Sequence, residues 1–237
     1  HYRASEVEQT GAMRKGSAVD AILLGGPSVV TYPGPVRRGK EWEAFKLDHP
    51  EPAFCIVTQK EAEQAEGIAE SVRRNKEACR LLDGKRGAEL DWHFLGRPCV
   101  SHPDVYTDDY VTELKTTRSS EPFRFTRDAL RRAYNAQLAF YRLALAPSAP
   151  KPRSAFIVAV ESSAPYAVTC LRLTDRALDQ GERLCRLWME RLLGCERFDK
   201  WPQYVEAIVD LDLPDDDVTL TYAMADAVQN DNTDLPF

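Results

Sequence analysis

Pro103-Asp104-Val105-Tyr106-Thr107-Asp108-Asp109-Tyr110-Val111-Thr112-Glu113-Leu114-Lys115-Thr116-Thr117 is the stretch on which the reading of this chain turns. Side chains alternate faces along a strand, so Val111, Glu113 and Lys115 share one side and Thr112, Leu114 and Thr116 the other. With Asp104 on the preceding strand, two carboxylates and an ammonium project into one small volume. Unpaired charges are costly in a core, and a divalent cation between the carboxylates offsets that cost. Hard oxygen ligands without a Cys or His set favour Mg²⁺ or Mn²⁺ over zinc. Such an ion polarises a phosphodiester and acidifies a bound water, while a nearby lysine orients that water. The residues therefore point to metal-assisted hydrolysis. The competing reading is a surface Glu113–Lys115 pair contributing less than ~1 kcal/mol. No G-x-S-x-G elbow, phosphate-binding Gly-rich loop or histidine ligand spacing offers a different chemistry.

Working outward, Ala88–Phe94 and Pro98–Asp104 read as strands before Tyr110–Thr116, with Thr107-Asp108 as a hairpin turn. Together they predict an antiparallel meander carrying Glu89, Asp104, Glu113 and Lys115. Asp91 shares a face with Glu89 and competes for its role. Downstream, a helix starts at Phe125, with Thr126 as its cap, and runs to Leu145. Gln137 and Tyr141, four apart, share one of its faces. Ser154–Val160 and Tyr166–Leu173 are two more strands. Residues 175–193 form a last helix with Leu178, Leu184, Leu187, Trp188 and Leu192 as its apolar stripe.

Upstream, residues 10–24 read as a helix capped by Thr10 and ended by Gly25-Gly26. Asp20 interrupts its apolar side, either facing solvent or belonging to a metal site. Residues 26–36 read as a loop and 59–82 as one long amphipathic helix. The order predicts an α+β (mixed α/β) domain with a central, mostly antiparallel or mixed sheet flanked by helices. It spans 1–203, with a catalytic core at about 80–195. Residues 204–237 read as an acidic, extended tail.

The 237 residues carry a net charge of -6 and are 43% hydrophobic, with a pI near 5.4. That balance does not advertise nucleic-acid binding, but local basic patches can still bind phosphate. Arg37, Arg38 and Lys40 beside Trp42 can grip a phosphate backbone and stack on a base, or form a loop leading into a helix whose Trp packs inward. Arg118, Arg124, Arg127, Arg131 and Arg132 flank the proposed site, as a phosphate track or as a solvated helix face. Six cysteines lack a C-x-x-C pair or zinc spacing, so they read as reduced, buried thiols of a cytoplasmic protein. No apolar run approaches the ~18 residues that span a membrane.

The Pro103-Asp104 … Glu113-Leu114-Lys115 element resembles the PD-(D/E)XK nuclease signature. Glu113-Leu114-Lys115-Thr116-Thr117, followed about twenty residues later by Gln137-Leu138-Ala139-Phe140-Tyr141, resembles the "(D/E)xKT … QxxxY" pattern of RecB-like nucleases. His1-Tyr2-Arg3, Gly16-Ser17-Ala18-Val19-Asp20, Gly39-Lys40-Glu41-Trp42 and Glu89 look like the RecE-type (exonuclease VIII) branch. The resemblance covers about residues 1–195. It implies a nuclease fold and Mg²⁺- or Mn²⁺-dependent degradation of linear duplex DNA from 5′ ends, with one or two ions per site. It also implies a ring-shaped homo-oligomer, a trimer or tetramer, working beside a single-strand annealing protein in phage-type recombination. By that resemblance Asp104 and Glu113 hold metal, Lys115 is the catalytic lysine, Glu89 assists, and Gln137 and Tyr141 line the groove. Asp20 stands where the family often has a metal-binding histidine. Rival expectations are a catalytically silent DNA-binding or inhibitor protein and a single-strand- or structure-specific RecB-like nuclease. The ending Asp234-Leu235-Pro236-Phe237 resembles the acidic Pro-Phe tails of single-strand DNA-binding proteins.

Overall fold

Tyr110–Thr117 is the spine of the structure, a computed structural model that describes residues 9–50, 52–148, 151–202 and 208. Contacts divide the chain into His1–Arg197 and Phe198–Phe237. In the first unit α1 (Gly11–Leu24), β1 (Ser28–Thr31), α2 (Lys40–Asp48) and β2 (Phe54–Val57) come first, followed by α3 (Gln59–Arg74) and α4 (Lys76–Leu81). Then follow β3 (Lys85–Arg86), β4 (Leu90–Phe94), β5 (Arg97–Ser101), β6 (Val105–Tyr106) and β7 (Tyr110–Thr117). The chain continues through α5 (Pro122–Arg131), α6 (Tyr134–Leu145), β8 (Ser154–Glu161) and β9 (Val168–Arg172) to α7 (Asp175–Phe198). Among the described residues no helix is long and apolar enough to cross a membrane.

Five strands form a mixed sheet in the order β3-β6-β7-β8-β9. β7 pairs with β8 in parallel along its whole length, from Tyr110 opposite Ser154 to Thr117 opposite Glu161, while the other pairings are antiparallel. A parallel pair needs a long crossover, and α5 and α6 supply it. Both sheet faces are covered. Leu114, Val158 and Val160 pack with residues of α1, α3 and α4; Val111, Ile157 and Ala159 pack with Phe125, Leu138 and Leu178. The mixed sheet flanked by helices is the expected fold class.

Several boundaries differ from the expectation. Val29 and Val30 sit in β1, which pairs in parallel with β2, so residues 26–36 are not all loop. The helix at 59–82 is broken at Asn75, whose backbone is extended and whose side chain accepts from the Ala78 N–H to cap α4. The meander is not continuous. β4 and β5 form their own hairpin, turned by Leu95 and Gly96 at positive φ as a tight two-residue turn requires. Its Trp92 and Phe94 pack on Phe140 of α6 instead of pairing beside β7. Asp104 consequently lies in a bend between β5 and β6.

The helix expected at 125–145 is two helices. Pro122 starts α5, where a missing N–H costs nothing, and Glu121 rather than Thr126 caps it by accepting from the Phe123 and Arg124 N–H groups. Thr126 lies inside α5, donating to Pro122 O. Ala133, in the left-handed region at φ 53°, then separates α5 from α6. α7 runs on to Phe198 and buries Leu178, Gly181 and Cys185, leaving Leu187 and Trp188 half in solvent. The six cysteines are free, but only Cys55 and Cys185 are buried. The tail expected at 204–237 lies outside the described residues except Ile208, which is fully exposed; His1-Tyr2-Arg3 and Asp234–Phe237 lie outside them too.

Candidate active site

Glu113 is the hub. Near the middle of the most fully paired strand it is buried, and its two carboxylate oxygens have different surroundings. Oε1 accepts from Lys115 Nζ at 2.6 Å and from Gln137 Nε2 at 2.8 Å. Gln137 Nε2 also donates to the Tyr141 hydroxyl at 2.9 Å, which the four-residue spacing on α6 permits. Glu113 Oε2 is buried without a hydrogen-bond partner among the described residues. Asp104 is held at the bend by the Leu114 N–H, which donates to Oδ2 at 2.8 Å, and its carboxyl lies within hydrogen-bonding reach of Glu113.

Asp20 joins from α1. A Cβ on Gly16 would stand 3.3 Å from Thr116 Oγ1, so the glycine lets α1 come close to β7. Asp20, one turn later on the same face, then lies near Asp104 and Lys115, both of which act on its charge. Burial, reinforced by Asp104, raises the Asp20 carboxyl to about 7. Burial and the same aspartate raise Glu113 to about 7, and burial also raises Asp104. Burial works against the Lys115 charge, but Glu113 and Asp104 outweigh it and hold its pKa above the ordinary lysine value. The Lys115 ammonium also sits over the Tyr134 ring, 4.9 Å from its centroid. Burial, with Glu113 nearby, pushes the Tyr141 phenol up and keeps it neutral.

Among the described residues no three Asp, Glu, His or Cys side chains already form a closed metal cage. Mg²⁺ does not require one, because it keeps several waters and takes one or two carboxylates plus substrate phosphate. Two adjacent carboxylates, one with an orphaned buried oxygen, fit such an ion. A cavity of about 500 Å³ opens over this cluster between α1 and the α5–α6 break, with Asp20, Lys115, Arg118, Arg131, Arg132 and Tyr134 among its lining.

A family model described as a PDDEXK-like domain of unknown function (DUF3799) matches residues 3–212. The chain belongs to that family. No curated protein matches its sequence. Among solved structures, a protein from Eubacterium rectale provisionally named an exonuclease, determined at 2.19 Å, aligns with a TM-score of 0.62 and 20% identity. The alignment covers 92% of this chain and 81% of that one. At that identity the likeness is one of fold.

In this PDDEXK-like chain, Asp104, Glu113, Lys115, Gln137 and Tyr141 are brought together, with Asp20 beside them. Glu89 is not: it is exposed ahead of β4 and is not among the charges acting on the cluster. Arg37 is half-buried, donating to Ile56 O and pairing with Glu61, and its guanidinium lies over Trp42. Trp42 meets the Tyr32 ring edge-on. These two residues hold the α2 region to β2 and α3, while Arg38 and Lys40 are exposed. Arg118 and Arg131 line the cleft; Arg124 and Arg127 are exposed on α5. Two contributors escaped the sequence reading. Tyr134, three residues before Gln137 and so on its face, carries a signal that spacing could have shown. Lys15 lines the cleft from α1 while donating to Ser162 O at 2.8 Å, a contact no local pattern announces.

Proposed function

We propose that this PDDEXK-like protein is a Mg²⁺- or Mn²⁺-dependent deoxyribonuclease that digests linear duplex DNA from its ends. The RecE-like sequence pattern further suggests 5′-to-3′ digestion by a ring-shaped homo-oligomer beside an annealing protein. The observation that carries the nuclease reading is the divided Glu113 carboxylate. One oxygen is pinned by Lys115 and Gln137, and the other is buried beside the Asp104 carboxyl with no N–H donor on it. Glu113 and Asp104, with Asp20 near, would hold the ion, which when bound polarises the scissile phosphate and acidifies a water. Lys115, kept protonated by its carboxylate neighbours, donates to the attacking water or to the charge growing on phosphate. Gln137 fixes the Glu113 carboxylate and is itself braced on Tyr141. Six free cysteines favour a reducing compartment such as the cytoplasm.

The test is release of labelled nucleotides from end-labelled linear duplex, with and without Mg²⁺. Lys115→Ala should lower cleavage by at least about a hundredfold and leave DNA binding in EDTA nearly unchanged. Wild-type turnover in that variant would exclude the assignment, and the order in which label leaves the two ends reports polarity.

A further inference from the structure

Two cavities meet at the break between α5 and α6. Arg132 and Tyr134 line both the catalytic cleft and a second cavity of about 500 Å³ between α6 and α7. Gln137, whose amide holds Glu113, lines this second cavity as well. Its other walls are apolar: Phe140 on α6 faces Trp188, Met189 and Leu192 on α7. Trp188 is 48% exposed there, a large aromatic surface that no neighbour covers fully. Arg132 is the one charged side chain among the lining residues described.

We propose that this groove receives unstacked bases of the DNA strand whose scissile phosphate occupies the catalytic cleft. The inference rests on the nuclease reading and narrows its substrate. Continuity argues for it, since a base attached to a phosphate near Lys115 must leave the cleft along one of its walls, and the Arg132–Tyr134 wall opens into the groove. The chemistry of the lining agrees. An indole offers a π-face to any base, so stacking on it tolerates every sequence. Among the described residues no carboxylate lines the groove to repel the backbone, and Arg132 at the shared wall complements a phosphate. A base inside an intact duplex has no free face to offer Trp188. The groove therefore selects a strand with unpaired bases at the cut, and a blunt duplex must fray before it can be cut.

The test uses the full chain in EDTA, so that binding is read without cleavage. Labelled oligothymidylate is compared with a blunt duplex of equal length whose ends are GC-rich, for wild type, Trp188→Ala and Trp188→Phe. Loss of a stacking partner should weaken oligothymidylate binding at least about fivefold in Trp188→Ala. Trp188→Phe should stay within about twofold of wild type, and duplex affinity should be unchanged in both. Circular-dichroism melting of each variant separates loss of binding from loss of fold. The proposal is overturned if Trp188→Ala binds oligothymidylate like wild type, or if it loses both substrates equally. It is overturned too if that variant changes only the sedimentation coefficient, which would assign the groove to a second copy of the chain. Failure of the nuclease reading registers separately, as absence of Mg²⁺-dependent cleavage by wild type, and leaves the binding comparison intact.

Discussion

Glu113, Asp104 and Asp20 gather three acids around one lysine, and that imbalance has a pH signature. Burial pushes the Asp20 and Glu113 carboxyls up to about 7 in the fold, against ordinary values of 3.8 and 4.5. Below the ordinary values both groups are protonated in folded and unfolded chains alike, and their contribution to stability is fully present. As pH rises towards 7 the unfolded chain gives up these protons first, so stability falls through that window and levels off above it. Metal-free protein should thus melt lower at pH 8 than at pH 5, and Asp20→Asn should flatten the slope. At the proposed metal site Mg²⁺ would bind the ionised carboxylates, so its stabilising shift in melting temperature should be larger at pH 8 than at pH 5.5. A shift independent of pH would contradict the cluster. At this scale much was legible, because Asp104, Glu113 and Lys115 follow from the two-residue period of a strand and Gln137 with Tyr141 from the turn of a helix. The approach of Asp20 depends on Gly16 letting α1 near β7, and no spacing reveals a contact between elements.

Helix breaks were the least legible elements. Arg132-Ala133 joins α5 to α6 without Gly or Pro, and alanine seldom marks a left-handed residue, so the helical pattern reads straight through. The β4–β5 hairpin was misplaced for a different reason. Its alternation is genuine, but Trp92 and Phe94 find their partner in Phe140, and period alone does not say which strand pairs with which. Gly181 shows how tightly the helices close. A Cβ there would fall far inside van der Waals contact with the backbone of Asn135, in the first turn of α6. Gly181→Ala should therefore destabilise by about 2 kcal/mol or more. That lowers the melting temperature by about 5 °C, while Gly194→Ala, with nothing near its Cβ, should be neutral or stabilising. Equal melting temperatures for the two variants would refute the close packing of α7 on α6.

As a whole the molecule is acidic, -6 over the chain, yet its cleft carries Lys15, Arg118, Arg131 and Arg132. Local sign outweighs net charge when the ligand is a polyanion in contact with that wall. Replacing Arg118, Arg131 and Arg132 together with Ala should weaken DNA binding across all sequences. It should also reduce the slope of log affinity against log salt by about 2 to 3; an unchanged slope would move the DNA to another face. The overall plan, a mixed sheet between helical layers, could be read from element order because β7 and β8 are separated by a helical crossover. The Ala133 break also bears on how such a protein diversifies. It isolates α5, anchored in the core by Phe125, from the helix that braces Glu113. A substitution on the cleft-facing side of that arm, at Asp128 or Arg131, would then change what the cleft can grasp while leaving the Gln137 brace on Glu113 in place.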